Sequence, residues 1–302
     1  MLMRPLLVVA CLLGLAYDAA LCLWQWLAGT DVSIIRERRK HQRGLLDTES
    51  GFRVLREIDA AAQKAGAKVF LVSGTLLGLH RENRLLAHDY DVDVGIFDDD
   101  PGYAGFFAAM ENIAGRQKTS ITRLNVVECR LNPWLGLAPH QPVLYKYFFK
   151  NTQNNTERFG IDVFVHKRAN GHIIHGNYRC LWINTQFQLE RRKYGKDSFL
   201  VPRDTETYLL ENYGDYTITN TRFESSVDCP NTTNLYGLRA IMWLTGRWGY
   251  FLSTKDPFKR QMIENRLKDC IRYGLFLHGK PLWQMNQYAP RKSSKTPPSA
   301  SP

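Results

Sequence analysis

No Cys-x-x-Cys pair occurs among the six cysteines, so a structural zinc site has no support in the sequence. No internal repeat is visible, which sets solenoid and array architectures aside. Acids are the scarcer charge: 29 Asp+Glu stand against 40 Lys+Arg, a formal net charge of +11. That balance favours phosphate-bearing and polyanionic partners without choosing among them. Much of the excess is local. Arg36, Arg38, Arg39, Lys40 and Arg43 cluster near the start, and Arg291, Lys292 and Lys295 lie in the tail. The middle of the chain is closer to neutral. At 302 residues, 44% hydrophobic and 12% aromatic, the chain suits one large domain or two small ones around a substantial core.

One long apolar stretch is present. Leu6 to Ala16 is continuous, apolar character resumes through Leu21–Leu27, and the whole from Pro5 to Ala28 is long enough to cross a bilayer core of about 30 Å as a helix. We read residues 1–30 as a signal-anchor or transmembrane segment, 31–46 as a basic stem, 47–290 as the folded domain and 291–302 as a disordered Pro/Ser/Lys tail. A cleaved signal peptide competes, because Ala16, Ala19 and Ala20 supply small residues for cleavage. The basic cluster follows the apolar run and argues for a cytosolic C-terminal side. Two glycosylation sequons, at Asn154 and Asn231, argue weakly for a lumenal one. Cys129, Cys180, Cys229 and Cys270, outside the apolar segment, fit two disulfides of unknown pairing or buried thiols equally well.

Beyond the stem, helical and strand signals alternate. Asp47 to Ser50 caps a helix whose apolar residues Val54, Leu55, Ile58, Ala61, Ala62 and Ala65 recur at helical spacing, with Gly66 as its stop. Lys68–Val72 reads as a strand, Ser73-Gly74-Thr75 as a turn, and Leu76 to Asn83 as a helix. Val92, Val94 and Ile96 alternate with Asp91, Asp93 and Gly95, the period-two signature of a strand. Tyr103–Ile113 reads as a helix, Val143–Lys150 and Phe159–His166 as strands, and Asn170-Gly171 as a hairpin turn into His172–Tyr178. His172 and His175 are hairpin residues; their spacing on a strand does not make a zinc pair. A helix spans Arg203 to Asn212, opened by Asp204 or Thr205 and stopped by Gly214. Leu235–Trp248 and Pro257–Leu275 complete the helices. The class is α+β, a small mixed sheet flanked by helices.

The stretch from Val72 to Phe97 carries the chemistry. On a strand, alternate residues share a face, so Asp89, Asp91 and Asp93 project together while Val92 and Val94 face the core. Carboxylates fixed on one face of a strand suit a hard divalent cation. An EF-hand loop is excluded, because it needs glycine at the sixth position, where Val94 stands. A further acid is expected from another strand. Asp162, the lone acid in Gly160–Val165, is the best candidate, since a single charge buried among apolar residues needs a partner. That partner is a metal or the cation of a nearby arginine. Glu128 is a weaker competitor.

These residues carry a resemblance. Ser73-Gly74-Thr75-Leu76-Leu77-Gly78, then Arg81, then Asp89-Tyr90-Asp91-Val92-Asp93-Val94-Gly95, resembles the signature of the LicD/fukutin family of the nucleotidyltransferase-fold superfamily. Gly160–Phe164 resembles that family's third-acid strand, and Val201–Tyr216 its C-terminal segment. Arg84 and His88 depart from it, standing where glycine and an aromatic residue are usual. The resemblance implies a nucleotidyltransferase-like fold. It also implies transfer of a phospho-alditol or phosphocholine-type group from a CDP-linked donor to a glycan with Mg²⁺ or Mn²⁺. Asp91, Asp93 and Asp162 would be the catalytic acids and metal ligands, with Asp89 a further candidate ligand. Gly74, Thr75 and Arg81 would face the donor phosphates, although Arg81 also fits a solvated helix face. A Golgi or ER membrane protein with a lumenal catalytic domain follows; secretion and a bacterial membrane are the alternatives. Nucleic acid is not expected as a partner. Two competing functions remain: a nucleotidyltransferase acting on another nucleotide or on nucleic acid, and a non-catalytic glycan-binding relative.

Overall fold

The computed structural model describes residues 48–87, 89, 91–112, 117–123, 138, 140–150, 158–176, 180–220, 223 and 225–234, with isolated positions elsewhere. The anchor, the stem, the tail, Glu128, Cys129, Cys270, Asn154 and the two C-terminal helices expected from the sequence lie wholly or largely outside them. Among the described residues, no helix is long and apolar enough to cross a membrane.

Helix α1, Thr48–Ala65, buries Val54, Leu55, Ile58 and Ala62 on one face and ends at Gly66 with φ +68°. Strand β1 is only Phe70–Leu71, and helix α2 follows as Ser73–Glu82. The turn expected at Ser73-Gly74-Thr75 is therefore the first turn of the helix itself. Asn83, at φ 52°, closes α2 in the left-handed conformation. Chain return over α2 is tight: a Cβ on Gly78 would lie 2.8 Å from the Arg84 carbonyl and 2.9 Å from the Leu86 nitrogen. Glycine is required there because backbone cannot give way.

Strand β2 is Asp91–Phe97, helix α3 Tyr103–Asn112, and strands β3 and β4 are Gln117–Arg123 and Pro142–Lys150. Strand β5, Arg158–Ala169, is the longest and lies parallel to β2 and antiparallel to β4. Its C-terminal end turns through Asn170 and Gly171, both at positive φ, into β6, His172–Gly176. That is the geometry an Asn-Gly hairpin favours. Strands β7 (Cys180–Thr185), β8 (Leu189–Tyr194) and β9 (Asp197–Pro202) follow. Helix α4, Thr205–Tyr213, is capped by the Asp204 carboxylate, which accepts the Thr207 N–H at 3.1 Å, and stopped at Gly214. A short α5, Ser225–Asp228, and β10, Thr232–Asn234, complete the described chain.

The sheet is not small. Ten strands join in the order β10-β7-β6-β5-β2-β1-β9-β8, with β4 branching from β5 and β3 from β4. Sequence reading stopped short of β3, β7, β8, β9 and β10, and for β7 and β8 the reason lies in the burial pattern. Leu181 to Ile183 are consecutively buried and lack alternation, whereas β8 (LERRKY) is mostly polar. Two paired ions tie α1 to the β8–β9 hairpin: Arg56 to Asp197 at 2.7 Å and Arg191 to Asp59 at 2.9 Å.

The core lies against the β2–β5–β4 face carrying Val92, Ile161 and Tyr147 in one row and Val94, Val163 and Tyr145 in the next. On the opposite face, Gly95 leaves room for the rings of Phe70 and His166. The His166 ring stacks on His175 at 4.3 Å, and His175 on Trp182 at 5.4 Å. Burial holds both imidazoles neutral, His166 being pushed down to about 3 and His175 well below its ordinary value.

A Cβ on Gly95 would sit 2.7 Å from ring atoms of both Phe70 and His166. Gly95→Ala is expected to destabilise the fold by about 1–3 kcal/mol through overpacking. The check is a lower denaturant midpoint at unchanged slope; an unshifted midpoint would show that the two rings relax freely.

Candidate functional site

Strand β2 places the acids. Asp91 and Asp93 sit two residues apart on one face, and the parallel register sets Asp93 directly opposite Asp162 on β5. Asp91 stands opposite Gly160, where a Cβ would come within 3.2 Å of the Asp91 Cβ. One carboxylate oxygen from each of Asp91, Asp93 and Asp162 lies within 4.8 Å of the other two. Asp93 and Asp162 are buried and Asp91 half-buried. Three convergent hard oxygens fit the donor set that Mg²⁺ and Mn²⁺ prefer.

Asp93 also organises the backbone around the site. Its Oδ2 accepts the Gly74 N–H at 3.1 Å, and its own N–H donates to the Thr75 hydroxyl at 2.8 Å. Helix α2 has no local side-chain cap, since Val72 occupies that position. Asp93 supplies the cap from a neighbouring strand, much as a capping box does within one segment. The Thr75 hydroxyl, on a residue only 1% exposed, faces the Asp93 backbone.

Asp89 precedes β2, and its charge is near enough to help raise Asp93. Its carboxylate lies over Gly74, where a Cβ would come within 2.5 Å of the Asp89 Oδ2. It stands outside the three-oxygen group. Arg81 reaches away along α2: its guanidinium donates to the Tyr216 carbonyl at 3.1 Å and pairs with Glu82 at 2.7 Å. Arg84 pairs with the other oxygen of Glu82 at 2.9 Å.

Two neighbours of the acids escaped sequence reading. Lys146 on β4 pairs in register with Asp162, and its ammonium forms an ion pair with the Asp162 Oδ2. The cation beside Asp162 is thus a lysine and not the arginine considered from sequence. Its signal was available: Lys146 is the one charge in the apolar run Val143–Phe149. Tyr208 on α4 is the second. Burial raises its phenol, the Ser73 N–H opposes that rise, and Asp93 reinforces it. Only the packing of α4 onto the start of α2 brings it there.

A second acidic run, Asp98 to Asp100, shows the contrast. Asp98 pairs with Lys167, Asp99 with Arg168 at 2.6 Å, and Asp100 accepts the Lys68 and Gly102 N–H groups. Asp93 has acids for neighbours. Burial first, then Asp91, Asp89 and Asp162, push it well above the ordinary carboxylate value, with Lys146 pulling the other way.

Compared with known families, residues 66–204 match the LicD/FKTN/FKRP nucleotidyltransferase domain. The segment belongs to the LicD family. The match covers both acid strands, α2 and Lys146. LicD-family domains are in general phosphotransferases that modify glycans, and that general role is the one the match supports. No curated protein matches the chain significantly.

One sequence expectation changes. The Asn231 amide, read as a glycan acceptor, is buried, and its Nδ2 donates to the Asn212 Oδ1 at 3.2 Å. The folded chain cannot present it to solvent. Of the two alternatives open for the cysteines, Cys180 and Cys229 follow the buried-thiol one.

The raised Asp93 sets the sign of a pH effect. A raised native value means the native state holds the proton longer, so stability falls as pH rises from 3.8 through the raised value. Asp93→Asn should therefore stabilise the cation-free protein at neutral pH by about 1 kcal/mol or more, the gain vanishing toward pH 4. Thermal melts across pH test this. An equal shift at every pH would remove ionisation as the cause.

Proposed function

We propose that the chain transfers a phospho-alditol or phosphocholine-type group from a CDP-linked donor to a glycan, with Mg²⁺ or Mn²⁺. The observation carrying this reading is the convergence of Asp91, Asp93 and Asp162 beside the N-terminus of α2, inside a LicD-family domain. A divalent cation held by these three acids would neutralise the donor diphosphate. The chain's own part is positioning. Strands β2 and β5 fix the carboxylates, so little reorganisation accompanies donor binding. Gly74 lets the Asp89 and Asp93 carboxylates close onto the start of α2, where the helix N-terminus favours negative charge. Thr75 holds the Asp93 backbone in place, and Arg81, paired with Glu82, ties α2 to the Tyr216 carbonyl. Asp89, over Gly74, borders the donor and is a further candidate ligand.

Acceptor and compartment belong to the same proposal. The acceptor is a glycan, and nucleic acid is not expected, because the basic excess lies near the two ends of the chain. Residues 1–30 would anchor the domain at a Golgi or ER membrane with the catalytic part in the lumen, supported by the apolar run from Pro5 to Ala28.

The test is a donor screen. The full chain is incubated with CDP-ribitol, CDP-glycerol, CDP-choline or nucleoside triphosphates and a mixture of glycan acceptors, with and without Mn²⁺, and CMP release is measured. CMP should appear with a CDP-linked donor only when the cation is present. Asp91→Ala and Asp93→Ala should each lower the rate by about 100-fold or more, the usual scale for losing a key electrostatic contact. Turnover of triphosphates alone, or an unchanged rate in both variants, would overturn the reading.

A further inference from the structure

The acid site continues onto a third strand, and its last member is a cation. In register, Asp93 on β2 faces Asp162 on β5, and Asp162 faces Lys146 on β4. Directly opposed residues on neighbouring strands share a face, so the three side chains form one row across the sheet. The flanking rows hold the spacing. Gly95, Phe164 and Leu144 lie on one side of it, with Phe164 and Leu144 buried, and Asp91 with Gly160 on the other. Lys146 reaches Asp162 from a rigid strand, not from a loop.

The ion pair is anchored more firmly than a surface one. The Asp162 side chain is 11% exposed and the Lys146 side chain 39%, so the carboxylate end is largely withdrawn from water while the lysine retains access to the open side. Losing the cation would leave an uncompensated, mostly buried charge next to Asp93. The ammonium holds Oδ2 of Asp162. A second divalent cation on that oxygen would have to sit against the ammonium, where two positive charges repel.

Resting on the functional reading above, we propose that Lys146 takes the place of a second divalent cation at Asp162, so that this site works with one metal ion. The lysine supplies fixed positive charge where a two-metal site would hold its second ion. A lysine serves this role as a compact point charge, tolerant of small shifts in the group it neutralises.

The experiment counts bound metal without relying on turnover. The full chain is titrated with Mn²⁺ in the presence of CDP, free Mn²⁺ being read by electron paramagnetic resonance. Asp93→Asn under the same conditions gives the background. The parent should bind one Mn²⁺ above background, Lys146→Met two, and Lys146→Arg one; Lys146→Gln repeats the test should the methionine variant fold poorly, with circular dichroism as the folding control. Two ions in the parent, or one in both neutral variants, would overturn the role of Lys146 and leave the cation site standing. A parent indistinguishable from Asp93→Asn would overturn the cation site and this proposal together.

Discussion

Everything at the site depends on the reciprocal bond between Asp93 and the start of α2. One carboxylate oxygen accepts the Gly74 N–H, and the Asp93 N–H donates to Thr75. These two contacts fix the helix to the strand at the point where both meet the acids. They also explain why α2 begins at Ser73 with no capping side chain of its own. A helix N-terminus needs its orphan N–H groups answered, and here a tertiary neighbour answers one. The same carboxylate is thus structural and chemical at once.

That double role carries an electrostatic cost. Asp93 is buried beside Asp91, Asp89 and Asp162, and both burial and its neighbours oppose its ionisation. The fold offsets this unevenly. Asp98 to Asp100, in the turn directly after the strand, are matched by Lys167, Arg168 and backbone N–H groups. In the Asp91–Asp93–Asp162 group, Lys146 is the cation that opposes the rise of Asp93. Evenly neutralised acids make a stable surface; an acidic group with one fixed cation makes a place for another.

Much of this was legible in sequence. Alternation of Val92, Val94 and Ile96 with Asp91 and Asp93 gave the strand and its two faces, because strand periodicity is local. Asp162 stood out as a lone acid in an apolar run, and its need of a partner followed from desolvation. Asn170-Gly171 gave the hairpin. What could not be read were partners distant in the chain. Lys146 is opposite Asp162 only because β4 runs antiparallel to β5 in one register. Asn231 satisfies a sequon by spelling, yet its amide is buried against Asn212. Asp89 shares the spacing of Asp91 and Asp93 but was only a further candidate, and it lies just before the strand begins, with its carboxylate over Gly74.

The sequence by itself determined the local elements and the chemistry available: a strand with acids on one face, a second strand with one acid, and a glycine before the helix. Those follow from periodicity, propensity and the cost of burying charge, all of which act over a few residues. Only the tertiary structure decided which charges meet. The parallel pairing of β2 with β5 set Asp93 against Asp162, and the antiparallel pairing of β4 set Lys146 against Asp162. Register is a property of strand pairs, and a one-residue slip in either would turn the row to the opposite face.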